Sequence, residues 1–468
     1  MKPTSRRSTL IVTTDGVGIA SHAGSAALTE LADRLGWTAA LSVGMAPTRR
    51  RRSAHDPGRV VRDLVVSIAD GGDCLADLSV LRGQPELFGE VASSPTAWRV
   101  IESITPERLG ILREARRRAR ERAWANGAAP ERITLDFDAT LVTSHSEKEG
   151  AAGNFKGGFG FHPLVCYLDE SSEALAGILR PGNAGANTAA DHIAVLYLAL
   201  EQLPDPAWGM EILARADSGG ATHDFVDVLR ELQIRFSCGF DLTESVRDAI
   251  LATPESAWVP AVTQAGEHRE GAAVCELTNL DLTAWPEGTR AICRRERPHP
   301  GAQLTFTDHQ GFRFQAFITD QDDTDLAQLE ARHRGHARVE DRIRCGKDTG
   351  LRSFPFRHLA ANQVWLELVL AAQDLLTYFR RLCLDGEARD WEPKTLRHRL
   401  LHVAGRVARS GRRVFLRLQR SWRWTPLLAE AFRRLRSLSS IAGQSRAAFR
   451  TSGEIQFPRP SQQHSGKG

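Results

Sequence analysis

The chain has 468 residues, of which 42% are hydrophobic and 25% are charged, enough for two or three domains with their own cores. Its seven cysteines are scattered without C-x-x-C spacing, which argues against a disulfide framework or a cysteine zinc site. We find neither a signal peptide nor a run of about 18 apolar residues, so we expect a cytoplasmic protein and no membrane partner.

The amino-terminal part, residues 1–128, is predicted to be helical. Residues 25–36, 56–72 and 106–127 show helical periodicity, and Pro57 stands at a first-turn position.

The middle of the chain reads as α/β. Strands are predicted at 132–142, 158–169, 173–180, 210–217 and 233–240, with helices at 187–203 and 223–232. Three strands followed by alternating helices and strands are the element order of an RNase H-like fold. We therefore expect an RNase H-like catalytic core over 129–255, interrupted by a β-rich insertion at 256–322 and resumed over 323–385. The resumed part would hold a helix over 325–348 and a buried closing helix over 361–384.

Three carboxylates stand out against this frame. Asp138 lies in a strand with alternating apolar and polar residues, and Asp217 ends a short apolar run before Ser-Gly-Gly. Glu340 shares one predicted helical face with His333, His336 and Lys347. Oxygen ligands suit Mg²⁺, and two such ions can clamp a phosphodiester. Taken singly, Asp217 could be only a turn or helix cap and Glu340 only a solvated helix residue.

The carboxyl-terminal part is strongly basic. Residues 397–450 contain fourteen arginines and one acid, Glu430, which favours a polyphosphate partner. Apolar residues recur there at near-helical spacing, so we predict two amphipathic helices, at 396–422 and 425–440, within a basic helical DNA-binding region at 386–440. Arg409, Arg412 and Arg413 would contact DNA; the alternative is a solvated helical surface without a ligand. Residues 441–468 are predicted to be a disordered tail.

Five motifs carry a family resemblance: DFDAT (136–140), GFHPL (160–164), LRPGNAGAN (179–187), RADSGG (215–220) and HARVEDRIRCGKD (336–348). Together they resemble insertion-sequence transposases of the DDE type, DDE transposase group 1, and within them the bacterial family numbered thirteen-eighty. The likeness runs from about residue 10 to about residue 440.

The resemblance implies a catalytic, metal-binding triad of Asp138, Asp217 and Glu340, with Asp136 as the rival for the first position. The triad would hold two Mg²⁺ ions, with Mn²⁺ as an alternative, and Lys347 would contact a phosphate. Related proteins carry a phosphate-contacting tyrosine and arginine where this chain has His333 and His336.

The same resemblance makes Arg180, Asn183 and Asn187 candidate DNA contacts, with turn and helix-cap roles as the alternative. It further implies that residues 1–128 bind transposon ends, and that a homodimer acts on double-stranded DNA, the inverted repeats and the target. The implied activity is metal-dependent cleavage at transposon ends followed by strand transfer. An inactive DNA-binding remnant and an RNase H-like nuclease without strand transfer remain the alternatives.

Overall fold

The computed structural model describes residues 10–49, 55–185, 187–298 and 311–439. Its helices are α1 (Ala26–Arg34), α2 (Trp37–Met45), α3 (Pro57–Ala69), α4 (Leu78–Arg82), α5 (Pro85–Phe88), α6 (Ser94–Glu102), α7 (Leu109–Ala123), α8 (Ala189–Leu200), α9 (His223–Glu231), α10 (Glu244–Ala252), α11 (Leu326–Arg334), α12 (Arg338–Gly346), α13 (Leu359–Cys383), α14 (Pro393–Leu396) and α15 (Thr425–Ser437). Its strands are β1 (Ile19–Ala20), β2 (Ile133–Ala139), β3 (Val142–Thr143), β4 (Ala152–Gly153), β5 (Phe159–Phe161), β6 (Leu164–Leu168), β7 (Glu173–Ile178), β8 (Ile212–Ala216), β9 (Arg235–Phe240), β10 (Val259–Val262), β11 (His268–Glu276), β12 (Arg290–Glu296), β13 (Arg313–Thr319), β14 (Gly405–Ser410) and β15 (Arg413–Leu418).

A nine-stranded mixed sheet organises the molecule, with strand order β10-β11-β12-β13-β9-β8-β2-β6-β7. Strands β2, β8 and β9 run parallel, while β6 and β7 form an antiparallel hairpin beside β2. The mixed α/β class, helices α8 and α9 and the predicted strands at 132–142, 173–180, 210–217 and 233–240 are confirmed. The predicted strand at 158–169 is divided into β5, which joins a small sheet with β3 and β4, and β6, which joins the large sheet.

The strands of the β-rich segment do not form a sheet of their own. Strand β13 pairs antiparallel with β9 over Thr319–Ser237 to Ala316–Phe240, so β10–β13 extend the central sheet. Helix α11 packs against β10 and β11 on this extension. The described strands of the segment therefore belong to the same sheet as β9.

The amino-terminal helices share their core with the sheet. Helix α3 begins at Pro57 as predicted, capped by Asp56, whose carboxylate accepts a hydrogen bond from the Arg59 amide at 3.0 Å. Both α3 and α7 pack on α13, and one hydrophobic cluster runs from Ala20 to Leu435. The described helices of the predicted region 1–128 thus share the main core.

The long helix α13 is buried along most of its length, as the sequence predicts. Its acids Glu367 and Asp374 are buried against arginines of α7: Arg116 contacts both, and Arg120 binds Asp374 at 2.7 Å. Arg120 also binds Glu173 of β7 at 2.6 Å. Among the described residues, no helix is long and apolar enough to cross a membrane.

The predicted helix at 396–422 is wrong. In its place a four-residue helix and a five-residue π-helical turn lead into a β-hairpin of β14 and β15, with Gly411 at its turn (φ +58°). The second predicted helix is confirmed as α15, and the tail at 441–468 lies outside the described residues.

Candidate active site

The strand register brings two of the three acids together. In the parallel pair β2–β8, Phe137 is opposite Ala216, so Asp138 and Asp217 occupy the next position on neighbouring strands. Neighbouring strands lie about 4.8 Å apart. Gly239 of β9 leaves room for the turn after Asp217, because a Cβ there would lie 2.9 Å from the Ser218 amide nitrogen.

Glu340 reaches the same place from a helix. A short 3-10 turn, Gly335–Ala337, joins α11 to α12, and Glu340 lies in the first turn of α12, which packs on β2. Gly335 permits this approach, since a Cβ there would lie 2.6 Å from Nη1 of Arg215.

The electrostatics of Asp138 indicate that the acids converge. The pKa of Asp138 is raised to about 6: burial is the largest cause, the charge of His336 opposes it, and the negative charges of Asp217 and Glu340 add to it. Hydrogen bonds satisfy these carboxylates only in part: Asp138 accepts from the Ala139 amide at 2.7 Å and Asp217 from the Gly219 amide at 3.0 Å. In the described parts of the chain, none of the three carboxylates has an arginine or lysine nitrogen within 4.0 Å.

Asp136, the rival for the first position, is neutralised instead. Arg215 binds it with two hydrogen bonds of 2.8 and 2.7 Å, and Asp136 is 1% exposed. Arg215 also binds Asp169 at 2.7 Å. The structure therefore favours Asp138 over Asp136 as the acid that is free to bind a ligand.

The donor set fits hard divalent cations, because it consists of uncompensated carboxylate oxygens. The three carboxylates do not all lie within 4.8 Å of one another, the spread expected of ligands on one ion.

Lys347 ends α12 beside this cluster. Burial lowers the pKa of its ammonium group, while the charge of Asp138 opposes that effect and Lys156 adds to it. Lys347 thus lies near enough to Asp138 to feel its charge, and Lys156 lies near Lys347.

The two histidines of the Glu340 face have separate surroundings. Nδ1 of His336 lies 3.2 Å from Oδ1 of Asp136, and its charge acts on Asp138. The ring of His333 stacks on Phe317 at 4.2 Å and 6°, and its Nδ1 lies 2.9 Å from Oγ of Ser237. The expected phosphate-facing position is therefore not observed for His333, because protein atoms occupy one ring face and Nδ1.

Arg180 holds a loop together in this structure. It is 3% exposed; its Nε donates to the His162 carbonyl at 2.9 Å, and its Nη1 lies 3.1 Å from both the Gly185 carbonyl and Asp191. The expected DNA contact by Arg180 is thus replaced by a structural role. Asn183 and Asn187 remain exposed on the loop that Arg180 braces.

Two buried histidines near Asp217 were not anticipated. Nδ1 of His162 lies 3.0 Å from the Ala184 carbonyl, and Nδ1 of His192 lies 3.1 Å from the Thr188 carbonyl. Burial lowers the pKa of both imidazoles, and the charge of Asp217 counters it. The GFHPL motif contained the signal for His162, whereas nothing in the sequence distinguishes His192 from a core histidine.

The chain is similar to a solved structure and to the model of a protein family. A cryo-EM structure of the piggyBac transposase synaptic complex with hairpin DNA is similar to the chain over 81% of this chain and 79% of that one, at 10% identity and a TM-score of 0.39. No curated protein matches. The model of the family "Transposase DDE domain group 1" matches residues 2–440, nearly the whole chain. The chain therefore belongs to the group 1 family of DDE transposase domains.

Proposed function

We propose that this protein is a DDE transposase that cuts DNA at transposon ends in a metal-dependent reaction and joins the freed 3′ end to target DNA. The observation that carries the proposal is the convergence of Asp138, Asp217 and Glu340 without a guanidinium or ammonium partner. Arginine neutralises other acids of this chain, such as Asp136 and Asp169. The lack of an arginine or lysine partner at the three acids therefore supports a site in which metal cations balance their charge.

The strand order supports an RNase H-like core. Strand β2 is flanked on one side by the β6–β7 hairpin and on the other by β8 and β9, which run parallel to it. Such a sheet collects side chains at the carboxyl ends of its parallel strands, where open α/β sheets form their sites.

In this proposal Asp138, Asp217 and Glu340 would hold two Mg²⁺ or Mn²⁺ ions. When bound, the ions would supply activation of the attacking oxygen and stabilisation of the leaving oxygen. Lys347 would hold a phosphate by its ammonium group. His336 would stay beside Asp136, the structural acid, and leave Asp138 to bind metal. Asn183 and Asn187 would contact DNA from the exposed loop.

The hairpin β14–β15 would bind the DNA backbone. Arg406, Arg413 and Arg417 share one face with Phe415, which is 41% exposed, while Val407 of the other face is buried. Arg409 and Arg412 lie near the turn and are also exposed. Within the described chain none of these arginines has a carboxylate within 4.0 Å. A two-stranded ribbon of this kind fits the major groove of DNA.

The test compares two neighbours on one helix. Glu340→Gln should abolish Mg²⁺-dependent cleavage of DNA carrying the sequences that flank the reading frame. Asp341→Asn should retain it, because Asp341 is exposed and paired only with Arg344 at 3.1 Å. Circular dichroism of both variants would establish that they fold alike.

The reaction products then separate the competing functions. Cleavage followed by joining to a target plasmid supports a transposase, and cleavage without joining supports a nuclease. Binding of the flanking DNA without cleavage by the parent protein, in Mg²⁺ or Mn²⁺, would support the inactive remnant and overturn the proposal.

A further inference from the structure

A second cluster of ligand-type side chains lies away from the three acids. Asp70 is only 6% exposed. Nδ1 of His22 lies 2.5 Å from one of its carboxylate oxygens, and Nε2 of His402 lies 3.1 Å from the other. The ligand atoms of the three residues all lie within 4.8 Å of one another. The two imidazole rings are 4.2 Å apart between centroids.

Three distant segments hold this cluster in place. His22 follows β1, Asp70 ends α3, and His402 precedes β14. The backbone already joins the outer two, since the Ala23 amide donates to the Val403 carbonyl at 3.1 Å and β1 pairs with β14. Gly24 packs so closely that a Cβ there would lie 1.9 Å from the Leu400 carbonyl oxygen. The ligands are therefore fixed by the fold before any ion arrives.

The surroundings complete the site. The Ser25 hydroxyl donates to the Asp70 carboxylate and orients it, and the Asp70 carbonyl lies 2.9 Å from Nε2 of His402. The side chains of His22 and His402 are 23% and 36% exposed, whereas that of Asp70 is 5% exposed. One side of the cluster thus opens to solvent, which leaves a path for an ion and a coordination position for water.

The chemistry of this set differs from that of the catalytic acids. Two imidazoles and one carboxylate are ligands that Zn²⁺ prefers, with water as the fourth, whereas Mg²⁺ prefers oxygen alone. Motif spacing in the sequence does not reveal such a site, because its ligands are separated along the chain by 48 and 332 residues.

We propose that His22, Asp70 and His402 bind one Zn²⁺ ion, which fastens the segment around β1 to the base of the β14–β15 hairpin. The ion would replace the hydrogen atoms that now lie between the imidazole nitrogens and the carboxylate. Because these residues are separate from the three acids, the inference does not depend on the proposed function.

The first measurement uses the full chain carrying Asp138→Asn and Asp217→Asn, which weakens metal binding at the acids. Equilibrium dialysis with ZnCl₂ should give one tightly bound ion per chain. His22→Gln and His402→Gln should each weaken binding at least tenfold, as loss of one of three protein ligands implies. His398→Gln, an exposed histidine of the same carboxyl-terminal segment, should leave it unchanged.

A second measurement needs no change in the cluster. Co²⁺ added to the same background protein should give the visible absorption of a tetrahedral nitrogen–oxygen site, and Zn²⁺ should abolish it. Zn²⁺ should also raise the melting temperature of the protein and slow its cleavage by trypsin after the arginines of residues 406–423. Absence of Zn²⁺ binding, or binding unaffected by both His22→Gln and His402→Gln, would overturn the proposal and leave the cluster as a hydrogen-bonded ion pair.

Discussion

At the scale of single residues, Asp136 and Asp138 show how surroundings separate two identical side chains. They share one face of β2, yet Arg215 neutralises only Asp136. Asp138 instead is half-buried near the negative charges of Asp217 and Glu340, and its pKa is raised to about 6. The fold thus maintains an unfavourable charge where the proposed metal ions would compensate it.

We therefore expect Asp138→Asn to stabilise the metal-free protein. At pH 8 the free energy of unfolding should rise by about 1 to 3 kcal/mol, since each unit of pKa corresponds to about 1.4 kcal/mol. The penalty is present above the folded pKa of about 6 and disappears as the pH falls towards 3.8, the unfolded value. The gain should therefore shrink at pH 4.5.

Urea unfolding followed by circular dichroism at both pH values would measure this difference. Asp341→Asn, at an exposed position, should change stability by less than about 0.5 kcal/mol. A variant at Asp138 that is less stable than the parent at pH 8 would contradict the prediction.

His333 provides an independent pH test. Burial, together with the positive charges of His336 and Arg215, lowers its pKa well below 6.5. The unfolded chain then takes up a proton that the folded chain does not, so stability is lost as the pH falls below 6.5. In unfolding measurements from pH 8 to 5, His333→Gln should flatten this decline by up to about 1.4 kcal/mol per pH unit.

The exposed His268 is the matched control for this experiment, because His268→Gln should leave the pH profile parallel to that of the parent. The same parallel profile for His333→Gln would mean that the folded and unfolded states protonate His333 alike.

At the scale of elements, the β14–β15 hairpin explains why one sequence prediction is wrong. The apolar residues of the segment recur at a spacing that suits a helix, but in RVFLRL every second residue from Val414 to Leu418 is also apolar, and RSGRR supplies a turn. Short amphipathic segments satisfy both periods; here the segment pairs as strands β14 and β15, and β1 pairs with β14. Most of the other helices and core strands were predicted within a few residues, but the expected helix at 325–348 is divided into α11 and α12 and the expected strand at 158–169 into β5 and β6.

The hairpin arginines should govern the salt dependence of DNA binding. Neutralising Arg409, Arg412 and Arg413 together should weaken binding to all sequences and flatten the slope of log affinity against log salt concentration. The change should reach up to about one unit of slope per lost phosphate contact. Fluorescence anisotropy with labelled duplex DNA from 50 to about 300 mM salt would measure it.

The matched control neutralises Arg433, Arg434 and Arg436 on α15. These arginines already pair with Glu430, Asp385 and Glu30, so their loss should alter the slope less. Equal effects of the two triple variants would mean that the hairpin has no special role in binding DNA.

At the scale of the whole molecule, buried ion pairs connect regions that the sequence suggests are separate. Arg120 of α7 is completely buried between Glu173 of the sheet and Asp374 of α13. The periodicity of 106–127 predicts the helix but not that its arginines point inward, because their partners lie 53 and 254 residues away. Long-range pairing of this kind cannot be read from local patterns.

Arg120→Met should therefore destabilise the whole protein by about 3 to 5 kcal/mol, since it leaves the buried Glu173 without a counter-charge and the buried Asp374 with Arg116 alone. Arg118→Met, on the exposed side of the same helix, should cost less than about 1 kcal/mol. Urea unfolding followed by tryptophan fluorescence would measure both. A loss confined to the amino-terminal helices, seen as a separate early transition, would contradict a shared core.

The ion pair of Arg215 with Asp136 also limits how many anionic groups the site can offer. Without the guanidinium, a fourth carboxylate would stand two residues from Asp138 on the same strand face, able to draw an ion away from the scissile phosphate. Substitution of Arg215 would then leave every proposed ligand in place and still misplace the cations. The number of carboxylates available to the ions would thus depend on a residue that is not itself a proposed ligand.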